Sequence, residues 1–209
     1  MRFPHIAAGA LIITAAATAL GFAAREEMYP APTPAHPIAP TALAADSFTL
    51  DPVHSSVMFR IEHMGVSNFY GSFNDVSGSY TLGENPSFNF TIKTESIDTR
   101  NEGRDKHLKS PDFFNAVEFP TITFKSTSVE KAGDNLKVTG DLTMHGVTKP
   151  VTAELKFWPA KETRQGVKGG FETMFTIKRT DFGMNTYVTE GALGDEVTVL
   201  FAGEGAAAK

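Results

Sequence analysis

The residues in this chain best suited to acid–base or metal chemistry are the histidines His54, His63, His107 and His145. A metal would need imidazoles that share a face, two apart on a strand or as H-E-x-x-H on a helix, and neither spacing occurs. His54 and His63 are separated by an odd interval, which puts them on opposite faces of an unbroken strand. Acyl transfer would need a serine activated by a histidine, yet there is no G-x-S-x-G. Asp51-Pro52-Val53-His54-Ser55-Ser56 sets a histidine beside a serine, but neighbours on a strand point apart. The Gly166–Gly170 cluster lacks the Lys-Ser/Thr and the following helix of a phosphate loop. These histidines therefore read as turn or rim residues bonded to backbone groups. A basic run remains: Arg100, Arg104, Lys106 and His107 would suit an anionic head group. Glu95, Asp98, Glu102 and Asp105 already offset that charge. Arg104 and His107 are kept as candidate head-group contacts, and no catalytic residue, metal or cofactor is assigned.

The basic run lies in the connection from Glu95 to Thr127, which lacks the period-two alternation on either side of it. Ser110 followed by Pro111 is an N-cap and first-turn signal, so a short helical turn carrying Phe113 and Phe114 is expected there. That turn would plug one end of whatever the flanking strands enclose. Phe88, Phe90 and Ile92 share one face of the strand before it, and Ile122 and Phe124 one face of the strand after it. Alternation recurs at Val57, Phe59 and Ile61, and at Leu136, Val138, Leu142 and Met144. It appears again at Val151, Ala153, Leu155 and Phe157, at Phe171, Thr173, Phe175 and Ile177, and at Val197, Val199 and Phe201. One buried and one wet face implies antiparallel pairing. Gly83-Glu84-Asn85-Pro86, Gly133-Asp134-Asn135 and Gly166–Gly170 are the turn signals.

About eight strands with one helical excursion fit an up-and-down barrel or a sandwich. A barrel is favoured because long strands with few internal prolines leave edges that only closure removes. The candidate lining is then Phe59, Ile61, Phe88, Phe90, Ile92, Ile122, Phe124, Val138, Leu142, Leu155, Phe157, Phe175, Ile177 and Val199, with Phe113 and Phe114 as the plug. Composition agrees: 17 Phe stand against 4 Tyr and 1 Trp, much apolar surface with few polar handles. With no cysteine there is no disulfide or thiolate chemistry. A net charge of −5 without a basic block argues against nucleic acid or an anionic membrane surface as partner.

Residues 1–24 read as an export signal, with Arg2, the apolar run Ile6–Ala19 and the small-x-small site Gly21-Phe22-Ala23. An uncleaved anchor is the less favoured reading. Residues 25–45 carry Pro30, Pro32, Pro34, Pro37 and Pro40 and read as an extended spacer, although Ala42-Leu43-Ala44 offers a second cleavage site. The folded domain is expected over 46–209.

Five segments resemble the YceI-like family of exported lipid-binding proteins. They are H-S-S-V-M-F-R-I-E-H-M-G with G-S-F; S-I-D-T-R-N-E-G-R-D-K-H-L-K-S-P-D-F-F; F-P-T-I-T-F-K-S-T; V-T-G-D-L-T-M-H-G-V-T-K-P-V; and R-T-D-F-G-M with G-D-E-V-T-V. The resemblance implies an all-β, antiparallel, eight-stranded lipocalin-like barrel, with a short helical segment capping the Glu95–Thr127 connection. It also implies a periplasmic carrier, not an enzyme, holding a polyisoprenoid or isoprenoid quinone in an apolar cavity, with fatty-acid-type ligands in other members. The membrane would matter only as the lipid source, and the oligomeric state is open, a homodimer included. Two alternatives stay beside the carrier: an envelope enzyme using rim histidines, and a solid-cored structural or stress protein.

Overall fold

The structure is a computed structural model and describes residues 47–208. The export segment and the proline-rich spacer lie outside the described residues. Eleven strands form one antiparallel sheet: β1 (Ser47–Leu50), β2 (Ser56–His63), β3 (Ser67–Phe73), β4 (Val76–Thr81), β5 (Ser87–Lys93), β6 (Ile97–Asp98), β7 (Thr121–Ala132), β8 (Asn135–Met144), β9 (Val147–Thr163), β10 (Gly166–Lys178) and β11 (Leu193–Ala207). Eight of them close a ring in the order β1-β4-β5-β7-β8-β9-β10-β11, because β1 pairs with both β4 and β11. The long β11 serves two partners on one side: Gly205–Ala207 pair with β1, and Leu193–Ala202 pair with β2. From β2 the sheet continues through β3 to β6.

Inward side chains of the ring follow the alternation of the sequence, and β8 shows it most fully, burying Leu136, Val138, Gly140, Leu142 and Met144. The end of the barrel nearest β1 is solid. Phe48 and Phe88 are 0% exposed and Phe171 is 1% exposed. Tyr80 stacks on Phe48 at 5.2 Å between ring centroids, Phe171 meets Tyr80 edge-on at 5.1 Å, and Phe201 meets Phe90 edge-on at 4.8 Å. The Tyr80 hydroxyl donates to the Gly169 carbonyl at 2.7 Å, so this floor holds no orphaned polar group. Such dense ring packing needs recesses in the wall. Phe171 lies directly across from Gly203, where an added Cβ would sit 2.5 Å from two ring carbons.

Two local expectations require correction. The helix is α1 (Glu102–Leu108), upstream of Ser110-Pro111. Asn101 caps it by accepting from the Arg104 N–H at 3.0 Å, with Glu102 and Asp105 in the first turn and Lys106 and His107 in the last, as the helix dipole favours. Ser110 starts only a single turn, whose Asn115 N–H returns to the Ser110 carbonyl at 2.9 Å. Asn115 then adopts a left-handed φ of 45° and reverses the chain. The second correction concerns Gly166–Gly170. The turn falls just before these residues, which belong to β10 and carry a bulge between Lys168 and Gly170. Gly169 is needed there because Phe48 packs against it, 3.1 Å from where a Cβ would stand.

Candidate functional site

Away from the aromatic floor the barrel is hollow. The row Phe171, Thr173, Phe175, Ile177 on β10 passes from buried to half-buried, and so does Val57, Phe59, Ile61 on β2. These residues point inward and yet stay accessible. An inner chamber of about 110 Å³ is walled by Phe59, Phe88, Phe90, Ile92, Ile122, Phe124, Val138, Leu142, Leu155, Phe175, Ile177 and Val199, among others. An outer chamber of about 410 Å³ lies under α1 and the turn after it, against Ile61, Phe69, Leu108, Phe113, Phe114, Met184 and Tyr187. The two share Phe59, Phe73, Met144, Ile177 and Val199, so they are consecutive compartments of one lumen. A barrel filled throughout by its own side chains is not what the chain forms.

Every candidate lining residue therefore faces one chamber or the other except Phe157. That ring packs beside the core, on β9 opposite Phe171. Val57, Phe73, Phe171 and Phe201 line the inner chamber and were not in the candidate set, although Val57, Phe171 and Phe201 stand in the same alternating rows.

Polar groups gather at the outer chamber. Arg104 lies over the Phe69 ring at 4.1 Å and donates to the Thr99 hydroxyl at 2.8 Å and the Thr99 carbonyl at 2.7 Å. Asp105 accepts from the Thr99 N–H at 2.9 Å and from its hydroxyl. His107 reaches Asp112 at 2.9 Å and meets the Phe113 ring edge-on at 5.1 Å. His63 also lines this chamber. His54 and His145 do not. His54 bonds to Asp51 in the turn after β1, and His145 donates to the Phe182 carbonyl at 2.9 Å. His54 precedes β2, so the unbroken strand that would have separated it from His63 does not exist. It sits beside Glu204, eleven residues along β11 from Leu193 at the mouth, roughly 35 Å at strand rise. Asp51, His54 and Glu204 come close enough for a cation, but Lys168 already places its ammonium 3.5 Å from Asp51 and 3.3 Å from Glu204.

Arg179 is the residue that reading for basic clusters missed. It continues the inward row of β10 beyond Ile177, and a charged residue at the end of an apolar row was the available signal. It is 4% exposed, and its guanidinium donates to the carbonyls of Gly194 at 2.8 Å, Met184 at 3.0 Å and Leu193 at 3.2 Å. Burial lowers its pKa, with Asp195 acting the other way. A buried cation on three carbonyls ties the loop before β11 to the chamber wall and leaves a positive potential there.

"Protein YceI" of Escherichia coli O17:K52:H18 (strain UMN026 / ExPEC) is 44% identical over 171 residues, covering 79% of this chain and 88% of that protein. The crystal structure of the Campylobacter jejuni YceI protein superposes with a TM-score of 0.64 at 32% identity, covering 71% of this chain and 90% of the other. A polyisoprenoid binding domain from Saccharophagus degradans shares the fold, with a TM-score of 0.63 at 15% identity over 78% of this chain and 99% of that one. The family model of the YceI-like domain matches residues 48–204, nearly the whole of the barrel described above, and the chain belongs to the YceI-like family.

Proposed function

We propose that this protein is a periplasmic carrier that sequesters a long-chain amphiphile, a polyisoprenoid or an isoprenoid quinone, inside the barrel. One observation carries the reading: two consecutive apolar chambers run from the mouth down to the aromatic floor, with half-buried side chains such as Phe59 and Ile177 where they meet. Family membership and the shared fold of a polyisoprenoid-binding domain support the lipid class. Each CH₂ placed in such a lumen gains about 0.8 kcal/mol by leaving water. Affinity is then limited by the cost of ordering the chain. The head group would lie in the outer chamber, whose wall holds the cationic side chains of Arg104 and Arg179 beside His107 and Tyr187. Binding rather than turnover is favoured because His54 and His145 lie outside the lumen, and of His63 and His107, which line it, His107 is engaged with Asp112. The periplasmic assignment rests on the basic, apolar, small-residue pattern of residues 1–24.

The test is extraction of protein purified from its native host without detergent. Mass spectrometry should find one isoprenoid or quinone per chain, released on unfolding. Val138→Trp, which places bulk in the inner chamber, should reduce the bound amount while the barrel stays folded. Lipid-free protein on repeated extraction would argue against the carrier. Chemical conversion of the bound lipid, lost in His107→Ala, would favour the enzyme instead.

A further inference from the structure

We propose that Gly71 sets the length of chain the barrel accepts, by seating the Phe59 ring against the wall at the junction of the two chambers. The inference rests on the carrier reading. Phe59 and Gly71 are direct partners across β2 and β3. A Cβ on Gly71 would stand 2.3 Å from Cζ and 2.7 Å from Cε1 of Phe59, and 2.9 Å from Cγ2 of Thr99. Two of these contacts are to the ring itself, so the far end of the ring occupies the recess that the missing side chain leaves. The recess cannot widen outward. β3 is held by its ladder to β2, and Thr99 behind it is fixed by Asp105 and Arg104.

A methyl group at Gly71 therefore moves the ring, and the free space beside it is the lumen. Among the described residues, Phe59 is one of five, with Phe73, Met144, Ile177 and Val199, that face both chambers. Phe73 stands 5.9 Å from it between ring centroids, so a displaced Phe59 narrows the passage rather than another part of the wall. A short chain fits in the outer chamber alone, whereas a long one has to pass this junction. Gly140 seats Phe124 in the same way inside the inner chamber, its Cβ position 2.5 Å from Cζ of that ring. The bore is thus kept open by recessed rings.

Competition binding of farnesol and solanesol, a short and a long isoprenoid alcohol, tests this on the folded barrel. Gly71→Ala should lower the solanesol-to-farnesol affinity ratio tenfold or more, and Phe59→Leu added to it should restore the ratio. Should Gly71→Ala fail to fold, Phe59→Trp on native Gly71 overfills the same seat and should lower the ratio likewise. Wild-type protein that takes up neither alcohol overturns the carrier reading and the length selection with it. Wild-type protein that takes up both, beside a folded variant with an unchanged ratio, overturns the role of Gly71 alone.

Discussion

Phe113 and Phe114 are adjacent in sequence but meet different surroundings. Phe113 is 6% exposed, between His107 and Tyr187, while the half-buried Phe114 meets the Phe73 ring edge-on at 5.5 Å across the outer chamber. Phe113→Ala should cost about 3–5 kcal/mol, the usual loss for a buried ring, read as a fall in Tm. Phe114→Ala should cost less and should speed release of a bound chain instead. Equal losses at the two positions would mean that they share one environment. The Asp51–His54 pair gives a pH signature. Hydrogen bonds from His54 and then from the Val53 N–H hold Asp51 down at about 2, and the same carboxylate raises His54. The depressed carboxylate favours the fold above its unfolded value of 3.8, and this is lost as pH falls through about 2. The raised imidazole favours the fold below its unfolded value of 6.5, and this is lost as pH rises past its elevated folded value. Both act together between those unfolded values, and both are small because the pair is exposed. His54→Gln should lower Tm slightly at about pH 5.5 and leave it unchanged at about pH 9. A drop only at the alkaline end would contradict the pairing.

At the scale of elements, glycine explains both how the barrel is built and why part of it was hard to read. The rows Leu136–Met144 and Phe171–Ile177 announce their inward faces by plain alternation. β3 (Ser67–Phe73) and β4 (Val76–Thr81) do not, because glycines stand at inward positions: Gly71 receives the Phe59 ring of β2, and Gly78, at φ 150°, lets the β5 backbone at Asn89 and Phe90 approach. An inward glycine looks neutral in a hydrophobic pattern although its place is as fixed as that of the ring it receives. The mouth was illegible for another reason. Met64, Met184 and Tyr187 come from turns, where no period applies, and the pairing of β11 with both β1 and β2 determines which end stays open. Both capping signals in this connection are used: Asn101 starts the helix, with Glu102 and Asp105 in its first turn, and Ser110 starts the single turn that follows. Gly203→Ala tests the ring-seat principle at the solid end. It should cost about 1–3 kcal/mol by overpacking Phe171, and Phe171→Leu should recover part of that loss in the double variant. Strictly additive losses would show that the ring is not seated there.

For the molecule as a whole, the export expectation gives a direct measurement. Intact mass of periplasmic material should lack the first 24 residues or more, whereas a mass that includes Met1 would favour an anchored protein. The topology bears on that journey. β1 and β2 stand at one end of the barrel sequence, yet both find their partner in β11, which also completes β10. Phe48 pairs with Ala207, so the ring closes through a contact spanning almost the entire domain. Contacts of such high sequence separation form late and slowly. A nascent chain emerging from the ribosome has no closed intermediate available until β11 has been made. On the export proposed above, such a chain would stay threadable, passing a translocation channel as an extended polypeptide and closing its barrel only afterwards.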